Sequence, residues 1–482
     1  MAVAGCTAGP EATAGSASSR HHHASPLVGS LTSWRIRTSA RADIEGYASA
    51  TSVAPGDALT VYVSTTAPSF AIRVFRMGWY GGRDGILVRS LVRLPGVHQP
   101  PAVVSPRRNT AVADWRPSAA LDTRGLAPGD YLLRLDASDG GRSFIPLAVR
   151  GASARGTVVL VSPVTTWQAY NRWGCCDLYA GAEGTPASRA RAVSFDRPYL
   201  ADRGASEFLT RTLPVVAEAE RLRLPLDYVT DVDLDENPHL LDGARAVISM
   251  GHDEYWSPAM RSAVVRARDA GANIAFLGAN AVYRRIRFEA SALGRDRVIV
   301  DYKSAAEDPL LTVDPAAVTS DWQDPPDPQP PSTLTGEAYG CFTHARLPAV
   351  VVDPHSPFFA GTEVTAGTSL PGLVGEETDR VMPGTVQPGP VEILMHSPFP
   401  CPQGWSSYAD TTYYTVPSGA GVFDSGTQSW VCALAASCAD RRTAAVVRRI
   451  TDNLLLLFAR GPAAAAAPVH PNAASVYARS GA

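Results

Sequence analysis

Apolar positions along the chain change their period near residue 150. Before that point they come in short β-branched or aromatic runs, such as Leu59–Ser64, Ala71–Phe75 and Tyr131–Leu135, separated by turn signals. Runs of that length and composition predict strands. Pro55-Gly56-Asp57 and Pro128-Gly129-Asp130 each precede such a run, a spacing that predicts an all-β sandwich over residues 31–152. Arg76-Met77-Gly78-Trp79-Tyr80-Gly81-Gly82 ends one strand in an aromatic, glycine-rich turn. It reads as a packed corner, with a sugar-binding patch as the rival.

From Gly156 the pattern differs. Thr157–Val161, Leu226–Val229, Ala244–Met250 and Asn273–Leu277 are continuous apolar runs, as strands buried on both faces require. Ser206–Leu222 predicts a helix that Pro214 shortens or kinks. Ser257-Pro258 reads as an N-cap followed by proline in the first turn, with Met260, Ala263, Val264 and Ala267 as the apolar stripe behind it. Strand, helix, strand in that order predicts a doubly wound α/β domain over residues 153–468. Residues 305–335 are rich in proline and aspartate and read as a surface loop. Ala349–Val352, Glu392–Met395 and Thr411–Val416 resume the domain, and an amphipathic helix from Asp440 to Arg460 closes it.

Composition narrows the function classes. The 482 residues carry a formal charge of −3, and no long basic block suggests a nucleic-acid footprint. The longest apolar runs, Leu454–Phe458 and Ala463–Ala467, fall far short of the roughly 20 residues that span a bilayer. Of the 43 lysines and arginines only Lys303 is a lysine. It follows the apolar run Val298–Val300, and a retained amine at a strand end can shift its pKa and act as a base, which arginine cannot.

The first of seven cysteines sits in Val3-Ala4-Gly5-Cys6, which looks like a lipoprotein lipobox, followed by a Gly/Ala/Ser/Thr-rich tail through residue 30. This predicts an extracytoplasmic protein, secreted or anchored to the membrane through lipidated Cys6, with a start codon set downstream of the true one. His21-His22-His23 lies in the same tail, and residues 469–482 read as a second tail. The six remaining cysteines suit disulfides in an oxidising compartment. Cys432 and Cys438 are close enough to close a small loop, whereas the adjacent Cys175 and Cys176 are expected to find other partners.

In open sheets, ligands gather at the carboxyl ends of the strands. The richest such place is Gly251-His252-Asp253-Glu254-Tyr255-Trp256-Ser257. A structural turn needs a glycine and a capping serine; it does not need histidine, two acids and tyrosine together. A glutamine-amidotransferase-like (flavodoxin-like) domain would hold its nucleophilic cysteine at this elbow, but no cysteine or serine follows Gly251 directly. Asn280, at the end of the next strand, faces the same edge and is a candidate substrate contact.

Several long motifs carry a family resemblance. Tyr228–Leu234 followed by Gly251–Ser257, together with Trp167–Gly174, Ser194–Tyr199 and Gly419–Thr427, is similar to the large (β) subunit family of N,N-dimethylformamidase. The resemblance implies a hydrolase cleaving the C–N bond of a small amide, with Fe(III) held by two tyrosinates and a glutamate. Hard phenolate and carboxylate oxygens suit that ion, which polarises carbonyls and acidifies bound water. Carried over residue by residue, it points to Tyr255 and Tyr228 as ligands and to Glu337 as the carboxylate. Glu254 is the local competitor, and His252 becomes a base or an orienting group. His252, Asp253, Glu254, Asn280 and Lys303 are the candidate catalytic set. The partners expected are a small-molecule amide and either further copies of the chain or a small subunit. Two other readings stand beside this one: a non-catalytic surface lipoprotein with a glycan- or ligand-binding sandwich, and a carbohydrate-active hydrolase using Asp253 and Glu254 as a carboxylate pair.

Overall fold

The structure, a computed structural model, describes residues 33–37, 43–382 and 384–480. Cys6 and His21-His22-His23 lie outside the described residues. The alternating runs before residue 150 form a three-stranded sheet (Ile44–Ala48, Ala58–Thr65, Ala119–Asp122) and a five-stranded sheet that includes Ser69–Met77, Gly129–Ala137 and Arg142–Val149. Leu59, Val61, Ile72, Val74, Leu133 and Leu135 from both sheets meet in one apolar core.

The continuous apolar runs pair as expected of fully buried strands. Leu226–Thr230, Val158–Ser162, Ala246–Ser249, Asn273–Phe276 and Gly421–Asp424 lie side by side in parallel. Ser406–Thr415 and Glu392–Pro400 extend the same sheet antiparallel. Ser257 caps the Pro258–Asp269 helix, its Oγ accepting from Met260 N–H at 3.2 Å. Asp440 does the same for Arg441–Phe458, accepting from Thr443 N–H at 2.7 Å. Pro214 has no N–H to give, and the turn before it, Phe208–Thr212, widens to a π-helix ahead of the α-helix Leu213–Arg221.

The doubly wound, flavodoxin-like expectation does not hold. The molecule is β-rich, with 34% strand against 20% helix, and is built from several sheets. Between Phe276 and Gly421 the only described α-helix is the four-residue Ser332–Thr335. Where a doubly wound domain would cross back through helices, this chain lays down hairpins instead. Ala338–Val350 pairs with Ser369–Arg380, and Arg287–Ser291 with Gly294–Val300.

The disulfides correct a second expectation. Cys341 pairs with Cys401 and Cys432 with Cys438, which leaves Cys175 and Cys176 joined to each other. No described helix is long and apolar enough to cross a membrane.

Candidate functional site

The site assembles at the carboxyl ends of the parallel strands. The Ala246–Ser249 strand runs into Gly251, whose φ of +75° turns the chain sharply. A Cβ on Gly278 would lie 2.0 Å from the Gly251 carbonyl, so the two strand ends approach this closely only because residue 278 is glycine. Beyond Gly278, the backbone N–H groups of Tyr283 and Arg284 donate to the Glu254 carbonyl at 3.0 and 2.8 Å, and Val282 N–H donates to that of Asp253 at 3.0 Å. From the other side Thr166 Oγ1 accepts from Glu254 N–H at 2.9 Å. The turn is thus fixed from both flanks.

Glu254 is fully buried and is the centre of the cluster. Tyr170 Oη donates to its Oε2 at 2.7 Å, and Tyr179 Oη donates to Oε1 at 2.7 Å and lies 3.0 Å from Oε2. The two phenol oxygens are 2.8 Å apart and their rings stack, centroids 4.6 Å apart. Tyr255 Oη donates to Tyr179 Oη at 2.8 Å, and Lys303 Nζ donates to Tyr255 Oη at 3.0 Å. One directed chain therefore runs from Lys303 through Tyr255 and Tyr179 to Glu254. Lys303 also sits 3.2 Å from the centroid of the Tyr179 ring, a cation–π contact.

Charges set the protonation of this group. Burial pushes all three phenols well above their ordinary range, and the Glu254 carboxylate adds to it. Burial would raise Glu254 as well, but His252, Lys303 and Arg284 together hold it down at about 2. His252 lies with Nε2 3.4 Å from Glu254 Oε2 and 3.0 Å from Glu377 Oε2. Burial works against its charge, yet Glu377 and Glu254 outweigh it and bring the imidazolium to about 10. Burial lowers the Lys303 ammonium to about 8.

Four of the residues predicted from sequence come together here: His252, Glu254, Tyr255 and Lys303. Asn280 lies on the adjoining loop, with its N–H donating to Asp379 Oδ1 at 2.7 Å and its own buried Oδ1 without a partner. Asp253 points away. It accepts from Ser249 Oγ and from Trp256 Nε1, both at 2.7 Å, and so braces the turn; burial raises it to about 6. Adjacent Asp253 and Glu254 thus face different surroundings, which removes the carboxylate-pair geometry.

Two predicted ligands lie elsewhere. Tyr228 belongs to an apolar cluster separate from that of Tyr255, and its Oη donates to Glu220 Oε1 at 2.9 Å. Side chains alternate along a strand, and at position 228 the alternation faces the Leu213–Arg221 helix. Glu337 is fully buried with neither carboxylate oxygen hydrogen-bonded. Burial and the nearby Asp424, Asp410 and Asp379 push its pKa well up, among other acids rather than the tyrosines.

Sequence reasoning missed Tyr170, Tyr179 and Glu377. Tyr170 was within reach of it, because Val164–Ala169 directly follows the first parallel strand and carries Tyr170 to the same carboxyl edge. Tyr179, in a loop, and Glu377, in a hairpin strand, carry no periodic signal.

Comparison with known proteins places the chain in a family. A profile described as N,N-dimethylformamidase beta subunit-like, C-terminal, matches residues 71–441, well over half of the chain. The chain belongs to the N,N-dimethylformamidase beta subunit-like family. The family match includes every residue of the tyrosine–glutamate cluster and the Glu377 hairpin. No curated protein matches the chain. Among solved structures, a cycloisomaltooligosaccharide glucanotransferase from Paenibacillus sp., complexed with cycloisomaltoheptaose, is similar at 12% identity and a TM-score of 0.17. That match covers 52% of this family member and 29% of the glucanotransferase, so the chain spans less than a third of that enzyme's length.

Proposed function

We propose that the protein is a metallohydrolase that cleaves the C–N bond of a small amide, with Tyr170, Tyr179 and Glu254 as the ligands of an Fe(III) ion. The observation that carries this reading is the convergence of three hard oxygen donors, 2.7–3.0 Å from one another, inside a family named for an amidase. Two phenolates and a carboxylate are the donor set an Fe(III) ion favours over softer metals. When bound, such an ion supplies Lewis acidity toward the amide carbonyl and a water molecule.

The chain's own residues handle protons and orientation. Glu377 and His252, 3.0 Å apart, form the base–acid pair. Glu377 takes a proton from the attacking water, and His252 gives one to the departing amine as the C–N bond breaks. The products are a carboxylic acid and an amine. Lys303 offers a positive charge beside Tyr255 and Tyr179, favouring their ionised forms. The unpartnered Asn280 Oδ1 is a group suited to a substrate N–H. The family name is that of a subunit, and we extend it to a small-subunit partner for this chain. Three disulfides favour an extracytoplasmic location.

The test is a visible absorption spectrum with iron analysis, beside amine release from simple formamides and acetamides. The expected result is a tyrosinate-to-iron band that disappears in Tyr170→Phe and Tyr179→Phe and survives in Tyr228→Phe. Colourless, iron-free protein that releases no amine after expression with iron overturns the proposal.

A further inference from the structure

Several acidic side chains of the molecule are neutralised by an arginine. Arg76 pairs with Glu220, Arg150 with Asp233, Arg287 with Asp308 and Arg297 with Asp196. Asp353 and Glu392 are not neutralised in this way. Neither makes an ion pair with arginine or lysine among the described residues, although Glu392 is only 1% exposed. Its Oε2 accepts the His470 backbone N–H at 2.8 Å, while Oε1 is buried with no partner at all. Ser356 Oγ lies beside this carboxylate as a donor that favours its charged form, while burial and Asp353 work against it. A buried carboxylate oxygen left unsatisfied is costly, and a second carboxylate nearby adds repulsion.

The fold brings a third donor to this point. One donor atom from each of Asp353, Glu392 and His470 lies within 4.8 Å of the other two. They come from three segments that the backbone holds in register. Val352 N–H and Asp353 N–H both donate to the Leu394 carbonyl, at 2.9 and 3.2 Å. Asn472 accepts from Ile393 N–H at 2.7 Å and donates back to the Ile393 carbonyl at 2.9 Å, fixing His470 two residues earlier. Glu392 opens the outermost strand of the seven-stranded sheet.

We infer that Asp353, Glu392 and His470 form a structural site for a divalent cation of the zinc class, which fastens the C-terminal segment to the sheet edge. One imidazole and two carboxylates suit zinc and similar borderline ions; calcium prefers six to eight oxygens. The cation supplies Glu392 Oε1 with its missing partner and neutralises the repulsion with Asp353. Each ligand arrives from a different stretch of chain, so the bound ion crosslinks them, as structural zinc does. This site is independent of the tyrosine cluster and stands or falls separately.

The test uses the full chain with His21, His22 and His23 changed to alanine, since that triplet offers competing imidazoles. Calorimetric titration with Zn²⁺, and hydrogen exchange of residues 468–480 with and without Zn²⁺, are the readouts. The expected result is one Zn²⁺ per chain and slowed exchange in that segment. His470→Ala and the near-isosteric Glu392→Gln should each weaken binding at least about 100-fold, with circular dichroism and amine release unchanged. Zn²⁺ affinity that survives in both variants overturns the site. So does binding lost in Glu254→Gln instead, which would assign the ion to the tyrosine cluster. Calcium binding as tightly as zinc, and indifferent to His470→Ala, overturns the zinc-class assignment.

Discussion

Glu220 joins the N-terminal sheets to the parallel-stranded part of the molecule, and its removal can be costed. Its carboxylate accepts from Arg76 Nη1 at 2.7 Å, from the Tyr228 hydroxyl at 2.9 Å and from Trp79 N–H at 3.0 Å. The approach is so close that a Cβ on Gly78 would lie 1.9 Å from the carboxylate. The Arg76 and Glu220 side chains are 17% and 14% exposed, dry enough that solvent screens the pair little. Breaking such a pair strands an uncompensated charge, at about 3–5 kcal/mol. Losing the Tyr228 hydrogen bond to that carboxylate costs less, about 1.5–3 kcal/mol. We therefore expect Glu220→Ala to cost about 4 kcal/mol and Tyr228→Phe about 2 kcal/mol. The double change Arg76→Met with Glu220→Met should cost far less than the sum of its parts, because no charge remains unpaired. Equilibrium urea unfolding followed by tryptophan fluorescence measures these proteins together with the Arg76→Met and Glu220→Met singles. A Glu220→Ala cost below about 1 kcal/mol, or a double mutant that simply adds its singles, refutes the reasoning.

Three further expectations follow from the same structure. Burial pushes the Asp130 carboxyl up to about 7, against an ordinary 3.8, so the folded state binds this proton more tightly than the unfolded chain. Its contribution is present at low pH and lost as pH rises from about 4 to about 7, with an upper bound of about 4 kcal/mol; stability curves of wild type and Asp130→Asn that stay parallel across that range contradict it. Under the proposed site, Lys303→Met should lower iron content and amine release together, because it removes the charge that favours the Tyr179 phenolate; unchanged iron content and turnover would remove Lys303 from the site. Cys341 and Cys401 are 60 residues apart in sequence, and replacing both with alanine should lower stability by about 4 kcal/mol in the chain-entropy treatment; an unshifted thermal melt argues against that crosslink.

What the sequence revealed depended on whether the signal was local. The parallel strands were legible because burial on both faces writes them as uninterrupted apolar runs, and Ser257 and Asp440 announced the starts of their helices by capping chemistry. The turn from Gly251 to Ser257 stood out because it holds more chemistry than a turn needs. The hairpin strands Ala338–Val350 and Ser369–Arg380 were largely hidden by the prolines, glycines and charged residues within them, so only Ala349–Val352 stood out as an element there. Two residues the sequence offered as ligands lie apart from the tyrosine–glutamate cluster for a geometric reason. Tyr228 and Tyr255 look equivalent as letters, but strand alternation turns the first toward Glu220. Tyr170 and Tyr179 meet Glu254 only after about eighty residues of chain fold back, and no periodicity records that contact. Glu337 looked like a spare carboxylate because sequence does not disclose that it is enclosed with other acids.

The position of Lys303 has a practical consequence. Apart from the α-amino group, it is the one primary amine in the chain, and its Nζ lies against the rings of Tyr179 and Tyr255. A reagent that modifies amines therefore has one side-chain target in this protein, inside the tyrosine cluster itself. Its rate of modification would report on access to that cluster, and an isotope placed on that single side chain would give one uncrowded resonance from the site, with no mutation required.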